Sequence, residues 1–250
     1  MITIRSPEEI EKIEKAARLT ADTLSFLEKR VRPGISTLSL DQMAEEYIRS
    51  HGGIPSCKGY EGFPASICTS VDEIVVHGIP SAKAVLRSGQ IVALDLVVEV
   101  DGYMGDSCIT VPVGHVNKKT MQLIEVTQRA LDAGIAAAVP GHHVGDIGHA
   151  VETVIRPYGY GIIRDYVGHG IGTDMHEEPE IPNFGDPGHG PLLEEGMVIC
   201  IEPMISMGSA NVRIQRDGWG AATADGKPAA HIEHTVVITK DGPRVLTRRD

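Results

Sequence analysis

The 250 residues hold 23 Lys and Arg against 34 Asp and Glu, a net charge of −11. That balance argues against a nucleic-acid-binding surface and fits a partner that is neutral or cationic at its reacting end. Apolar residues at 42% and charged residues at 23% describe a globular chain long enough to bury a large core.

Ser6-Pro7-Glu8-Glu9 predicts a helix start: Ser6 caps, Pro7 suits the first turn and Glu9 completes a capping box. Ile10, Ile13, Ala17, Leu24 and Val31 keep one apolar stripe until Pro33-Gly34. The opening MITIRSPEEIEKIEK lacks the basic-then-apolar order of a secretory signal, and no apolar run reaches the length of a spanning helix. A second helix, from about Leu38 to Ser50, stops at Gly52-Gly53. The Gly- and Pro-punctuated segment IPSCKGYEGFPASICTS follows, too broken for a helix and expected to be a loop that shapes a pocket. Ile74 to Gly78 reads as a strand end and a turn. Cys57, Cys68, Cys108 and Cys200 form no CxxC pair and read as reduced thiols, which with the missing signal predicts a cytoplasmic protein.

The stretch Ile91 to Val113 is two apolar runs around Asp101-Gly102, a dipeptide suited to a tight hairpin. A two-residue turn there sets Val100 against Tyr103, Val97 against Asp106 and Asp95 against Cys108. Asp95 and Asp106 then become diagonal neighbours on one face, with Cβ atoms roughly 7 Å apart. Two carboxylates that close on a desolvated face repel each other, and a cation between them resolves the conflict. The hairpin alone leaves open that one Asp points to water.

Two more helices are expected, from about Lys118 to Ala138 with Met121, Ile124, Leu131 and Ile135 on one face, and from Val144 to Ile155 with Val144, Ile147, Val151 and Val154 inward. Strands are expected near Gly161–Val167, Met197–Ile201, Asn211–Gln215 and His231–Ile238, with Asp241-Gly242 turning into Val245-Leu246. Each half thus reads helix, helix, then strands with a DG hairpin. Two related halves follow without any linker that would mark a domain boundary.

Several residues of the second half carry possible chemistry. Gly168-His169-Gly170-Ile171-Gly172 places an imidazole among glycines, either as a surface turn or as a ligand. His176 precedes Glu177-Glu178-Pro179, and the proline makes that segment a loop and excludes the helical HExxH pattern. Glu202 ends the apolar run Met197–Ile201, where it either emerges into solvent or meets a cation. Glu233 lies inside the apolar strand His231–Ile238, either buried or flanked by exposed valines. Four carboxylates and one imidazole balance two divalent cations and suit Mn, Fe(II), Co or Zn in a two-metal site that activates a water.

At this point the sequence resembles the type I methionine aminopeptidases, in the short bacterial form of the pita-bread metallopeptidases. The resemblance runs through GYEGFPASICTSVDEIVVHGIP, ALDLVVEVDGYMGDSC, VGHGIGTDMHEEPEIPNF, EEGMVICIEPM and HIEHTVVI. It implies an α+β pita-bread fold over residues 1–250 as one catalytic domain, with pseudo-twofold halves and a curved antiparallel sheet covered by helices. It implies that Asp95, Asp106, His169, Glu202 and Glu233 ligate two ions, with Asp106 and Glu233 bridging. His77 and His176 would contact substrate and steady the tetrahedral intermediate, and Glu202 would double as general base. The methionine pocket would map to Cys57, Tyr60, Phe63, Cys68, Met175 and Trp219, an apolar, sulfur-rich and aromatic set suited to a thioether.

Two positions depart from the family's pattern. Met175 stands where an aromatic is common, and Val97 where a hydroxyl residue is common. Glu202 and Glu233 are only 31 residues apart, too close for the insertion of the type II enzymes, and the chain starts at the first helix without a zinc-finger extension. The implied activity is removal of the N-terminal methionine from nascent proteins and peptides with a small second residue, by a monomer that meets its substrates at the ribosome and binds neither nucleic acid nor membrane. Two alternatives remain: an Xaa-Pro peptidase of the same fold, and a non-catalytic pita-bread binding protein.

Overall fold

The computed structural model describes residues 1–249. Helix α1 (Pro7–Glu28) begins with the expected capping box, Ser6 accepting from the Glu9 N–H and Glu9 reaching back to the Ser6 N–H. It ends before Val31, which packs beside the core from the following turn. Helix α2 spans Thr37–Ser50 and is capped by Ser36. Helices α3 (Lys118–Ala137) and α4 (Val144–Ile155) keep their expected limits. The buried face of α3 runs instead through Leu123, Val126, Ala130, Leu131 and Gly134, with Met121, Ile124 and Ile135 only partly covered at its margin.

The main sheet has nine antiparallel strands: β1 (Ile54–Pro55), β2 (Cys68–Val71), β3 (Ile91–Val100), β4 (Tyr103–Pro112), β5 (Gly168–Gly170), β6 (Glu177–Ile181), β7 (Val198–Ile201), β8 (Glu233–Thr239) and β9 (Gly242–Val245). Their order is β1-β3-β4-β8-β7-β5-β6, with β2 on β3 and β9 on β8. Two three-stranded sheets complete the fold, one from Gly161–Ile162, Met204–Ser206 and Ala229–His231, the other from Ile74–Val76, Val212–Ile214 and Ala221–Thr223.

Two expected loops contain strands. Cys68–Val71 pairs with β3, and Glu177–Ile181 pairs with β5 around a cis Glu178-Pro179 bond. Pro179 can stay in an edge strand because it withholds only one ladder donor. In the other direction, Gly161–Val167 yields only a two-residue strand, and His231–Ile238 divides at Ile232 between a small sheet and β8.

The β3–β4 hairpin has the register expected from Asp101-Gly102. Both turn residues have positive φ (53° and 78°), and Val100 faces Tyr103, Val97 faces Asp106 and Asp95 faces Cys108. Alternation then sorts the side chains. Val92, Leu94, Leu96 and Val98 of β3, with Ile109 and Val111 of β4, pack under α1 and α2 through Leu24, Leu27, Leu40 and Ile48. Ile199 and Ile201 of β7, with Val236 and Ile238 of β8, pack under Leu131, Val144 and Ile147. The residues of opposite parity (Asp95, Asp106, Cys108, Cys200 and Glu233) share the other face.

Candidate functional site

Strand register gathers this face. Glu233 pairs with Cys108, which on its other side pairs with Asp95, and Asp106 lies two residues along β4. Thr235 pairs with Cys200, so Glu202, one step past β7, comes level with Glu233. Gly170 pairs with Ile199, which brings His169 beside Cys200. The glycines around His169 do not have left-handed φ. A Cβ at Gly168 would strike the Cys200 carbonyl and one at Gly170 the Glu178 carbonyl, so they let β5 slide between its neighbours.

Single atoms of Asp106, His169, Cys200 and Glu233 all lie within 4.8 Å of one another, and all four residues are buried. His169 Nε2 is 3.5 Å from Glu202 Oε1 and 3.7 Å from Asp106 Oδ2. Its Nδ1 stands 2.9 Å from the Gly170 carbonyl. A carbonyl can only accept, so Nδ1 carries the proton and the Nε2 lone pair faces the carboxylates, the orientation that metal-ligating histidines take. Asp106 Oδ1 and Glu233 Oε1 are buried with no hydrogen-bond partner among the described residues. All five expected ligands, with His77, His176 and His231, line one cavity of about 250 Å³.

The electrostatics follow from this crowding. Burial first, and then the neighbouring carboxylates, pushes Asp106, Glu202 and Glu233 well above the usual carboxylate range; burial also raises Asp95, which the His231 and Cys68 side chains partly offset. Burial pulls His169 down to about 3 and His77 down to about 4. Protein alone therefore leaves four acids poorly compensated and the imidazoles neutral. Orphaned carboxylate oxygens and an aimed imidazole lone pair fit hard-to-borderline divalent cations.

A second hollow of about 200 Å³ opens beside the first and shares Asp95, Asp106, His77 and His176 with it. Its walls hold every expected pocket residue: Cys57, Tyr60, Phe63, Cys68, Met175 and Trp219. Phe63 meets Trp219 edge-on at 5.2 Å, and Val97 joins this apolar cluster. Val97, expected only as a departure from the family's pattern, thus extends the pocket wall. His77, with φ 58°, lies in a conformation rare for a non-glycine residue and packs against the Tyr166 ring. His176 Nδ1 is 2.8 Å from the Tyr60 hydroxyl. The turn carrying His176 is pinned by the buried Arg5 guanidinium, whose Nη2 is 2.6 Å from Glu177 Oε2, while Glu177 Oε1 accepts the Thr173 and Asp174 N–H groups.

The sequence profile of metallopeptidase family M24 matches residues 11–240. The chain belongs to metallopeptidase family M24. Within this family it is 46% identical over 247 residues to a methionine aminopeptidase of Clostridium acetobutylicum, covering 99% of both chains. The crystal structure of methionine aminopeptidase from Rickettsia prowazekii superposes with a TM-score of 0.97 at 41% identity, covering 99% of this chain and 100% of that one. A prolidase from Pyrococcus furiosus shares the architecture at a TM-score of 0.79 and 26% identity, but this chain spans only 66% of it. The pita-bread fold of the M24 enzymes is therefore the fold of this chain, and the chain is a metallopeptidase.

Some residues of this M24 site were not singled out in the sequence. Cys200 joins the tight cluster, Asn183 donates Nδ2 to the Glu202 carbonyl at 3.0 Å, and Thr235 ties Asp106 through its N–H and its carbonyl. His231, buried beside Glu202, is the fourth. Its signal was the spacing to Glu233: residues two apart on an extended chain look the same way.

Proposed function

We propose that this chain removes the N-terminal methionine from nascent proteins and peptides. One pita-bread domain over residues 1–250 would act as a monomer in the cytoplasm, on chains emerging at the ribosome as well as on free peptides. The observation that carries the reading is the adjacency of two unlike hollows: an acidic cavity around Asp106, His169 and Glu233, and an apolar, sulfur-lined cleft that opens onto it. Asp95, Asp106, His169, Glu202 and Glu233 would hold two divalent ions of the Mn, Fe, Co or Zn group. Bound there, such ions supply Lewis acidity toward the scissile carbonyl and toward water.

The protein's own groups do the rest. Cys57, Phe63, Cys68, Val97, Met175 and Trp219 enclose an unbranched thioether, while the acidic cavity attracts the free α-amine. Glu202, whose proton affinity burial raises, takes a proton from the attacking water and returns it to the leaving amine. With the Tyr60 O–H donating to His176 Nδ1, 2.8 Å away, the imidazole proton would lie on Nε2 and make that ring a hydrogen-bond donor to the developing oxyanion. His77, held neutral by burial, is the second donor.

The test is hydrolysis of Met-Ala-Ser against Xaa-Pro dipeptides by protein supplied with Mn or Co. Release of free Met from the first and none from the second is the expected result. The reverse preference would make the chain a prolidase. No hydrolysis by metal-loaded protein would leave a binding protein.

A further inference from the structure

His231 is 2% exposed, and neither ring nitrogen has a hydrogen-bond partner among the described residues. Its backbone is locked. The N–H donates to Thr110 Oγ1 at 3.0 Å, the carbonyl accepts from Thr110 Oγ1 at 2.7 Å and from Cys108 Sγ at 3.3 Å, and the residue pairs with Met204. The ring lines the acidic cavity, with Nε2 3.4 Å from Glu202 Oε2. Glu202 therefore lies between two imidazoles, Oε1 toward His169 and Oε2 toward His231.

The two histidines differ in one respect that decides what the second does. His169 donates its Nδ1–H to a carbonyl and turns a bare Nε2 to the carboxylates. His231 Nδ1 meets no acceptor, so a proton there would be buried unsatisfied, which is costly. The proton belongs on Nε2, where a carboxylate oxygen waits. An Nε2–H cannot coordinate a cation, but it can hold a carboxylate.

We propose that His231 is a positioning residue for Glu202: its Nε2–H engages Oε2 and keeps the carboxylate turned so that Oε1 faces His169 and the centre. The separation is long for a hydrogen bond, as such contacts often are before substrate binds. The inference rests on the reading of Glu202 as ligand and proton carrier.

The tautomer is read directly by two-bond ¹H–¹⁵N NMR of the zinc-loaded protein with ¹⁵N-labelled histidine, assigning His231 by its absence from H231Q. An Nε2–H ring is expected. An Nδ1–H ring with a metal-shifted Nε2 would make His231 a ligand and overturn the proposal. Kinetically, H231L should lower kcat on Met-Ala-Ser about tenfold with KM within about twofold, at unchanged metal content, and H231Q, which restores an N–H donor, should recover most of the loss. An unchanged kcat in H231L would make His231 a bystander. The tautomer is measured on the unmutated chain, so a Leu variant that fails to fold leaves that test intact. An Nε2–H ring alongside an active E202Q would support the pairing while removing Glu202 from proton transfer.

Discussion

The two halves of the molecule contribute to the same cavity by different means. In the first half one hairpin supplies Asp95 and Asp106, eleven residues apart in sequence and fixed by a ladder of ten facing pairs from Ile91–Pro112 to Val100–Tyr103. In the second half His169 and Glu233, from β5 and β8, and Glu202, just past β7, meet only when those three strands are aligned, by registers of one to four pairs. The first arrangement is set by a local turn, and the second exists only in the finished fold. Local structure can therefore aim a pair of carboxylates, but bringing His169, Glu202 and Glu233 to face them requires tertiary assembly.

The largest effect should come from striking the assembled half. His169→Ala removes the imidazole whose bare Nε2 faces the carboxylates. We expect kcat/KM on Met-Ala-Ser to fall by about a thousandfold or more, some 4 kcal/mol of transition-state stabilisation, with loss of bound metal in elemental analysis. Asp106→Asn strikes the hairpin half and should do the same, since both halves serve one centre. If H169A kept near-normal activity while D106N did not, the centre would belong to the hairpin alone.

This contrast also explains what could be read from the sequence. Asp101-Gly102 and the alternation around it specify the pairing of Asp95 and Asp106, because a two-residue turn leaves one register. The helices were legible from caps and apolar periodicity. Whether Glu202 and Glu233 faced solvent or each other was not, because Thr235–Cys200 pairing is a tertiary fact; only resemblance to a family joined them. The glycines beside His169 left a surface turn and a ligand equally open, whereas they serve the approach of Cys200 and Glu178, which no local pattern encodes. Pro179 argued against a helix correctly and against a strand wrongly, since β6 is an edge.

Two glycines of the hairpin separate turn strain from packing. A Cβ at Gly105 would land on the Ala17 backbone, where α1 crosses β4 closely enough for Thr20 to donate to the Gly105 carbonyl. Gly105→Ala should cost about 2–3 kcal/mol in urea denaturation, because the helix must back away from the sheet. Gly102, at φ 78° with open space around it, should cost only about 1 kcal/mol as Ala. Equal costs would mean that the ladder depends on its turn rather than on the helix above it.

At a similar scale, D106N should raise stability when both proteins are held in excess chelator. Replacing one of four mutually repelling buried acids with an amide relieves like-charge contact with Glu233, Asp95 and Glu202, by about 1 kcal/mol. Thermal unfolding of the two chelated proteins reads this. A lower midpoint for D106N would mean that the amide fits the buried site worse than the repelling carboxyl it replaces.

The smallest effect concerns how the first half holds its cleft wall. Lys58, next to Cys57, reaches Glu45 of α2 at 2.8 Å, and Arg49 adds a second contact at 2.9 Å. Hydrogen bonding from Lys58 holds Glu45 down at about 2, below its ordinary 4.5. A carboxyl lowered in the fold contributes stability that is complete above its unfolded value and is lost as pH falls through 4.5 toward 2. Lys58 and Arg49 are about half exposed, so water screens the pair and its worth at neutral pH should be under about 1 kcal/mol. Urea midpoints of wild type and Glu45→Gln should therefore differ slightly at about pH 7 and 5.5 and converge toward about pH 3. A gap that persists into acid would assign the tie to the shape of the Glu45 side chain rather than its charge, leaving the cleft wall anchored by the Asp41 carboxylate that accepts the Ser66 and Ile67 N–H groups.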